Sequence, residues 1–170
     1  MKQVKLGVIA CIAFVGLFSK TYAQETLPPV TVTSLNYKYL KSVADPNASQ
    51  KVNLLERKAA TYNVKESEFY DDEFEQYYVS FYLPKGQVLA TYDKEGKILR
   101  TAERFSNIIL PTSVRTAVTD AYPEWSIAKD VYLVNYHAGS NHINKVYKMV
   151  LENGDKRKRI KTDEKGNFID

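Results

Sequence analysis

The side chains best placed to do chemistry in this 170-residue chain are tyrosines and clustered charges. There are 13 tyrosines, and four of them alternate with aliphatic residues. Tyr78 and Tyr82 stand opposite Val79, Phe81 and Leu83, and Tyr132 and Tyr136 stand opposite Val131 and Leu133. Side chains in a strand point alternately to its two faces, so this spacing predicts tyrosines on one face and aliphatics on the other. If the aliphatic faces turn to the core, Tyr78, Tyr82, Tyr132 and Tyr136 line an open sheet surface. Tyrosine suits recognition there, because it offers a large rigid area and a polar tip at small entropic cost. The same spacing also serves stability alone, since aromatic cross-strand pairs contribute roughly 0.2–1 kcal/mol each.

The densest basic run is Lys156-Arg157-Lys158-Arg159-Ile160-Lys161. Alternation places Arg157, Arg159 and Lys161 on one face and Lys156, Lys158 and Ile160 on the other. Such a strand either protects a sheet edge from aggregation or binds an anion, such as a lipid head group or an acidic polymer. The opposite pole is the run Glu66, Glu68, Asp71, Asp72, Glu73, Glu75. It has no glycine and leads into a strand, so its carboxylates diverge instead of converging on calcium. A solvated segment is expected, with the basic strand as its complement within the molecule or across a dimer.

His137 and His142 have no third ligand nearby, which makes a poor zinc site. His137-Ala138-Gly139-Ser140 departs from the His-x-Gly-His signature of nucleotidylyltransferases at its last position, and no glycine-rich phosphate loop accompanies it. Neither a Gly-x-Ser-x-Gly elbow nor a His-Glu-x-x-His pair is present. These residues point to a binding protein with no catalytic set, no metal and no cofactor.

The first 23 residues have the form of a signal peptide: Lys2 and Lys5, an apolar stretch from Leu6 to Phe18, and small residues around Ala23. Cleavage between Ala23 and Gln24 is expected, with periplasmic or secreted localisation. The alternative, a lipobox acylated at Cys11, leaves too short an apolar region before the cysteine. Loss of Lys2, Lys5 and Lys20 leaves 21 basic against 20 acidic residues, so the net charge falls from +4 to +1 and nucleic acid is not the expected partner. Cys11 leaves too, which removes disulfide and thiol chemistry from the exported chain. No later stretch is long and apolar enough to span a membrane.

The elements that must position these residues occur twice. Asp93-Lys94-Glu95-Gly96-Lys97-Ile98-Leu99 is answered by Asp163-Glu164-Lys165-Gly166-Asn167-Phe168-Ile169, and Phe81 to Gly86 by Met149 to Gly154. Each set follows a helical pattern: Val52, Leu55, Ala59 and Tyr62 before Asn63, then Val114, Ala117, Val118 and Ala121 between Pro111 and Pro123. A β-branched run, Val30 to Thr33, could pair at a sheet edge. The expected organisation is a signal peptide (1–23), an N-terminal leader (24–48), unit one (49–105) and unit two (106–170). Two such units edge to edge make one antiparallel sheet in an α+β fold, with helices on one side and the other side bare.

Asn36-Tyr37-Lys38-Tyr39-Leu40, Tyr78-Val79-Ser80-Phe81-Tyr82, Leu99-Arg100-Thr101-Ala102-Glu103 and Asp130 to Tyr136 resemble the exported PepSY-like, β-lactamase-inhibitor-like proteins of Bacteroidetes-type bacteria. The resemblance spans the mature chain and rests on strands and turns. It implies tandem α/β units, a periplasmic or surface location and no established reaction. The expected function is recognition of an envelope protein or peptide, inhibitor-like or sensor-like, through the tyrosine face. The alternative is a module for small or polymeric anions built on the basic strand.

Overall fold

The computed structural model describes residues 36–140 and 143–170, so the cleavage site and the Val30–Thr33 run lie outside the described residues. Helices α1 (Tyr37–Val43) and α2 (Gln50–Thr61) come first, then a 3-10 turn at Val64–Glu66. Strands β1 (Gln76–Leu83), β2 (Gly86–Asp93) and β3 (Ile98–Ser106) follow. Helix α3 (Thr112–Ala121) leads into β4 (Ser126–His137), β5 (Asn144–Asn153) and β6 (Lys156–Thr162). The six strands form one antiparallel meander in sequence order, β1 to β6, with β3 and β4 joining the two halves. An α+β fold with one continuous antiparallel sheet is therefore the observed architecture.

Helix α2 forms where the periodicity predicts, burying Val52, Leu55, Ala59 and Ala60 against β1 and β2. Full burial of such aliphatic side chains stabilises by ~1.5–3 kcal/mol each. Helix α3 turns Val114 and Val118 inward; Pro111 is its N-cap, one position before the first helical residue, Thr112. Both helices share a single core with Tyr77, Phe81, Val88, Phe105, Tyr132, Val134, Met149 and Leu151. That places the helices on one side of the sheet.

Helix α1 lies inside the stretch expected to be a leader, and it is part of the core. Tyr39 and Val43, one helical turn apart, are buried. Asn36 anchors its start: the side chain donates to Gly96 O (3.1 Å) and accepts from Ile98 N–H (2.7 Å), stitching α1 to the β2–β3 turn.

The two matching turns close with the same hydrogen bonds. Asp93 N–H donates to Lys97 O, and Asp93 Oδ1 accepts from the N–H groups of Glu95 and Lys97. Asp163 N–H donates to Asn167 O, and Asp163 Oδ1 accepts from Lys165 and Asn167. What surrounds the turns differs. The first leads into β3, whereas the second is followed only by a bridge of Phe168 to Thr162. The acidic segment also occupies the place between helix and first hairpin that β4 fills in the second half.

Gly166 shows how tightly the second turn docks under α3. Its φ is +88°, and a Cβ there would meet Ser113 O at 2.7 Å and Ala117 Cβ at 2.9 Å. Gly154 has φ +56° but nothing within 4 Å of the added atom. Gly154→Ala should therefore lower the unfolding free energy by about 1 kcal/mol through backbone strain alone. Gly166→Ala should lower it by more than about 2 kcal/mol, since α3 must also shift. Urea titration of both variants checks the order.

Candidate functional site

The open face is built of cross-strand rows that the ladder registers define. The central row runs Ser80, Leu89, Ala102, Asn135, Asn144. One flanking row is Tyr78, Thr91, Arg100, His137; the other is Tyr82, Gln87, Arg104, Leu133, Val146. Ser80 and Ala102 lie low between Tyr78 and Tyr82 and between Arg100 and Arg104, which makes a trough across the strands. Two hollows of ≈ 380 and ≈ 290 Å³ mark it, sharing Leu89, Ala102 and Asn135 in their lining. Tyr78 and Tyr82 stand 70% and 62% exposed at its β1 end, and Leu89 is also exposed.

Two of the four expected tyrosines are not on this face. Tyr132 and Tyr136 are buried on the helix side, 0% and 4% exposed, while Val131 and Leu133 are half-buried on the open side. The register explains the correction: Thr101 opposes Tyr136 and Phe105 opposes Tyr132, and those β3 side chains face the helices. Tyr132 stacks on Tyr147 with ring centroids 4.3 Å apart, and Tyr136 meets Tyr39 edge-on at 5.2 Å. Val134, between the two tyrosines on the same face, is fully buried with them.

The basic strand is β6, an outer strand of the sheet, with Arg157, Arg159 and Lys161 on the open face as the alternation predicts. Ile160 faces the core, and Lys158, on the same side, lies over the Tyr122 ring at 4.7 Å. Lys148 opposes Lys161, and Val150 opposes both Lys129 and Arg159. Together they frame a depression of ≈ 310 Å³ over Val131 and Val150. Arg157 pairs with Glu152 at 2.8 Å.

The acidic run flanks β1, the opposite outer strand. Five strand spacings of ~4.8 Å put it roughly 24 Å from β6, so the two poles do not neutralise each other within one molecule. Glu75 pairs instead with Lys94, at 3.1 Å. His137 ends β4 on the open face, its Nδ1 accepting from Gly139 N–H; His142 lies outside the described residues.

Under the sheet lies a polar cluster that the sequence reading did not single out. Glu56 of α2 and Glu103 of β3 are 1% and 3% exposed. Glu103 Oε1 accepts from Tyr39 OH (2.9 Å) and Thr101 Oγ1 (2.7 Å). No protein group among the described residues hydrogen-bonds to Glu103 Oε2 or to either Glu56 oxygen. Burial, then the Glu103 charge, pushes the Glu56 carboxyl up to about 8, with Lys145 opposing. Burial pushes Glu103 up to about 7, against the pull of its two hydroxyl donors and Lys145. The signal available was positional: Glu56 falls between Val52 and Ala59 on the buried stripe of α2.

A carboxyl whose folded pKa is raised binds its proton more tightly in the native state, so stability falls as pH rises from the unfolded value toward the folded one. Unfolding free energy should drop by a few kcal/mol between about pH 5 and about pH 8. Glu56→Gln should remove more than half of that drop. Denaturant melts across this range test it, and parallel curves for the two proteins would count against the assignment.

No family model and no curated protein matches the chain.

Proposed function

We propose that this protein is a non-enzymatic binder of an acidic, extended polypeptide in the cell envelope, held on the open sheet face. The observation that carries this reading is the make-up of that face. Tyr78, Tyr82 and Leu89 share one face, which no described element covers, with Arg100, Arg104, Lys148, Arg159 and Lys161. Its carboxylates are already engaged, Glu152 by Arg157 and Asp93 by its own turn. Aromatic anchors beside cations with no ion pair among the described residues favour a partner that offers both side-chain surface and negative charge. The trough runs across the strands between the rows that carry Arg100 and Arg104, so its cations stand on both of its sides. The signal-peptide form of residues 1–23 and the resemblance to exported PepSY-like proteins support placement in the periplasm or at the cell surface. Among the described residues no helix is long and apolar enough to cross a membrane.

A second reading has one observation of its own: the depression over Val131 and Val150 is ringed by Lys129, Lys148, Arg159 and Lys161. That arrangement suits a compact anion with an apolar neighbour, such as a lipid head group.

Fluorescence anisotropy with a labelled peptide of alternating glutamate and leucine, about a dozen residues long, separates the two. On the first reading, R100E/R104E weakens binding at least about tenfold and Tyr82→Ala several-fold, while K148E/R159E has a smaller effect. If K148E/R159E abolishes binding and the trough variants do not, the second reading stands. Equal affinity for a lysine-rich peptide would refute both.

A further inference from the structure

We propose that the polar cluster between the helices and the sheet is a binding site for a primary ammonium group, reached from the α1–α2 turn. The site lies on the opposite side of the sheet from the open face and does not depend on the function proposed for that face.

A cavity of ≈ 280 Å³ opens at the turn, lined by Leu40, Ala44, Asp45, Pro46, Asn53, Glu56 and the exposed Arg57. Glu56 is the buried member of this lining, and both of its oxygens lack a hydrogen-bond donor among the described residues. Leu40, Ala44 and Pro46 provide walls for an alkyl chain, and Asp45 adds a carboxylate at the half-buried rim.

Charge within the cluster is unbalanced. Glu56 from α2, Glu103 from β3, Asp45 from the turn and Glu164 from the last turn all bear on it. Lys145 of β5 is the cation that acts on the carboxyl pair, and its Nζ is already 3.1 Å from Glu164 Oε2. The other neighbours include hydroxyls: Tyr39 and Thr101, both donating to Glu103, and Tyr132 and Tyr147, whose OH groups interact with each other and with no further hydrogen-bond partner among the described residues. A buried carboxylate without a counter-charge is strongly unfavourable, so the pair must hold either a proton or a cation. An ammonium group brings three donors, and the two oxygens of Glu56, the buried carboxyl in the cavity lining, have none among the described residues. A metal ion fits less well, since no group of three or more metal-ligating side chains converges among the described residues. Proton and ammonium compete for the same carboxylates, so affinity must rise with pH through the range in which the pair gives up its protons.

Isothermal calorimetry on the mature chain tests this with butylamine, N-acetyl-lysine amide and, as an uncharged control, butanol. Butylamine should bind at about pH 9 and at least about tenfold more weakly at about pH 6. Glu56→Gln, which relieves a buried charge and so still folds, should lose at least about tenfold at the higher pH, and Glu103→Gln should do the same. R100E/R104E should bind butylamine like the parent protein. Tighter binding of N-acetyl-lysine amide than of butylamine would assign the site to a lysine side chain; the reverse order would assign it to a free amine. The proposal is overturned by any of three results: no heat at millimolar butylamine, equal binding of butanol, or unchanged affinity in both glutamine variants.

Discussion

The ladder between β3 and β4 decides which surface of this molecule is wet. It joins the first three strands to the last three through pairs running from Arg100–His137 to Ser106–Val131. Because side chains alternate with a period of two, a one-residue slip here would exchange the two faces of half the sheet. In the observed register Thr101, Glu103 and Phe105 turn inward together with Tyr132, Val134 and Tyr136. Arg100, Ala102 and Arg104 then turn outward beside Leu133, Asn135 and His137. The trough, the cations along it and the buried tyrosine layer all follow from that one alignment.

The same alignment delivers Glu103 into the interior. Isolated carboxylates are seldom buried, because removal from water is not repaid by the few hydrogen bonds a core can offer. Here one oxygen of Glu103 is held by two hydroxyls, the other has no hydrogen-bond partner among the described residues, and the Glu103 charge acts on Glu56 of α2. Aromatic rings surround the pair: Tyr39 against Tyr136 on one side, the Phe105–Tyr132–Tyr147 stack on the other. Tyrosine is well fitted to such a boundary, apolar over its ring and polar at its tip. Its abundance in this chain therefore serves the interior at least as much as the surface.

Much of the fold was legible in the amino-acid sequence, and the misreadings have physical causes. In β1 the two faces differ sharply: Tyr77, Val79, Phe81 and Leu83 against Tyr78, Ser80 and Tyr82, with Ser80 marking the wet side. In β4 the face of Val131 and Leu133 also carries Asn135 and His137, while the opposite face carries Tyr132, Val134 and Tyr136; Val134 and Asn135 were the available tie-breakers. Helix α1 spans seven residues, too few to establish a period, and is fixed by Asn36 from a turn 60 residues away. Glu56 was hidden by its type, since a charged residue within an apolar stripe reads as a flank until burial is known. The basic strand and the repeated turns were readable because both are local: one is set by alternation, the other by an aspartate bonding to the next few backbone groups.

Among the described residues, carboxylates gathered beside β1 and guanidinium and ammonium groups gathered along β6 separate charge across the strands. In the field of a negatively charged surface such a body rotates during approach, before any side chain touches. The β6 rim leads and the acidic rim trails, so first encounters are pre-aligned with the sheet standing edge-on to the surface.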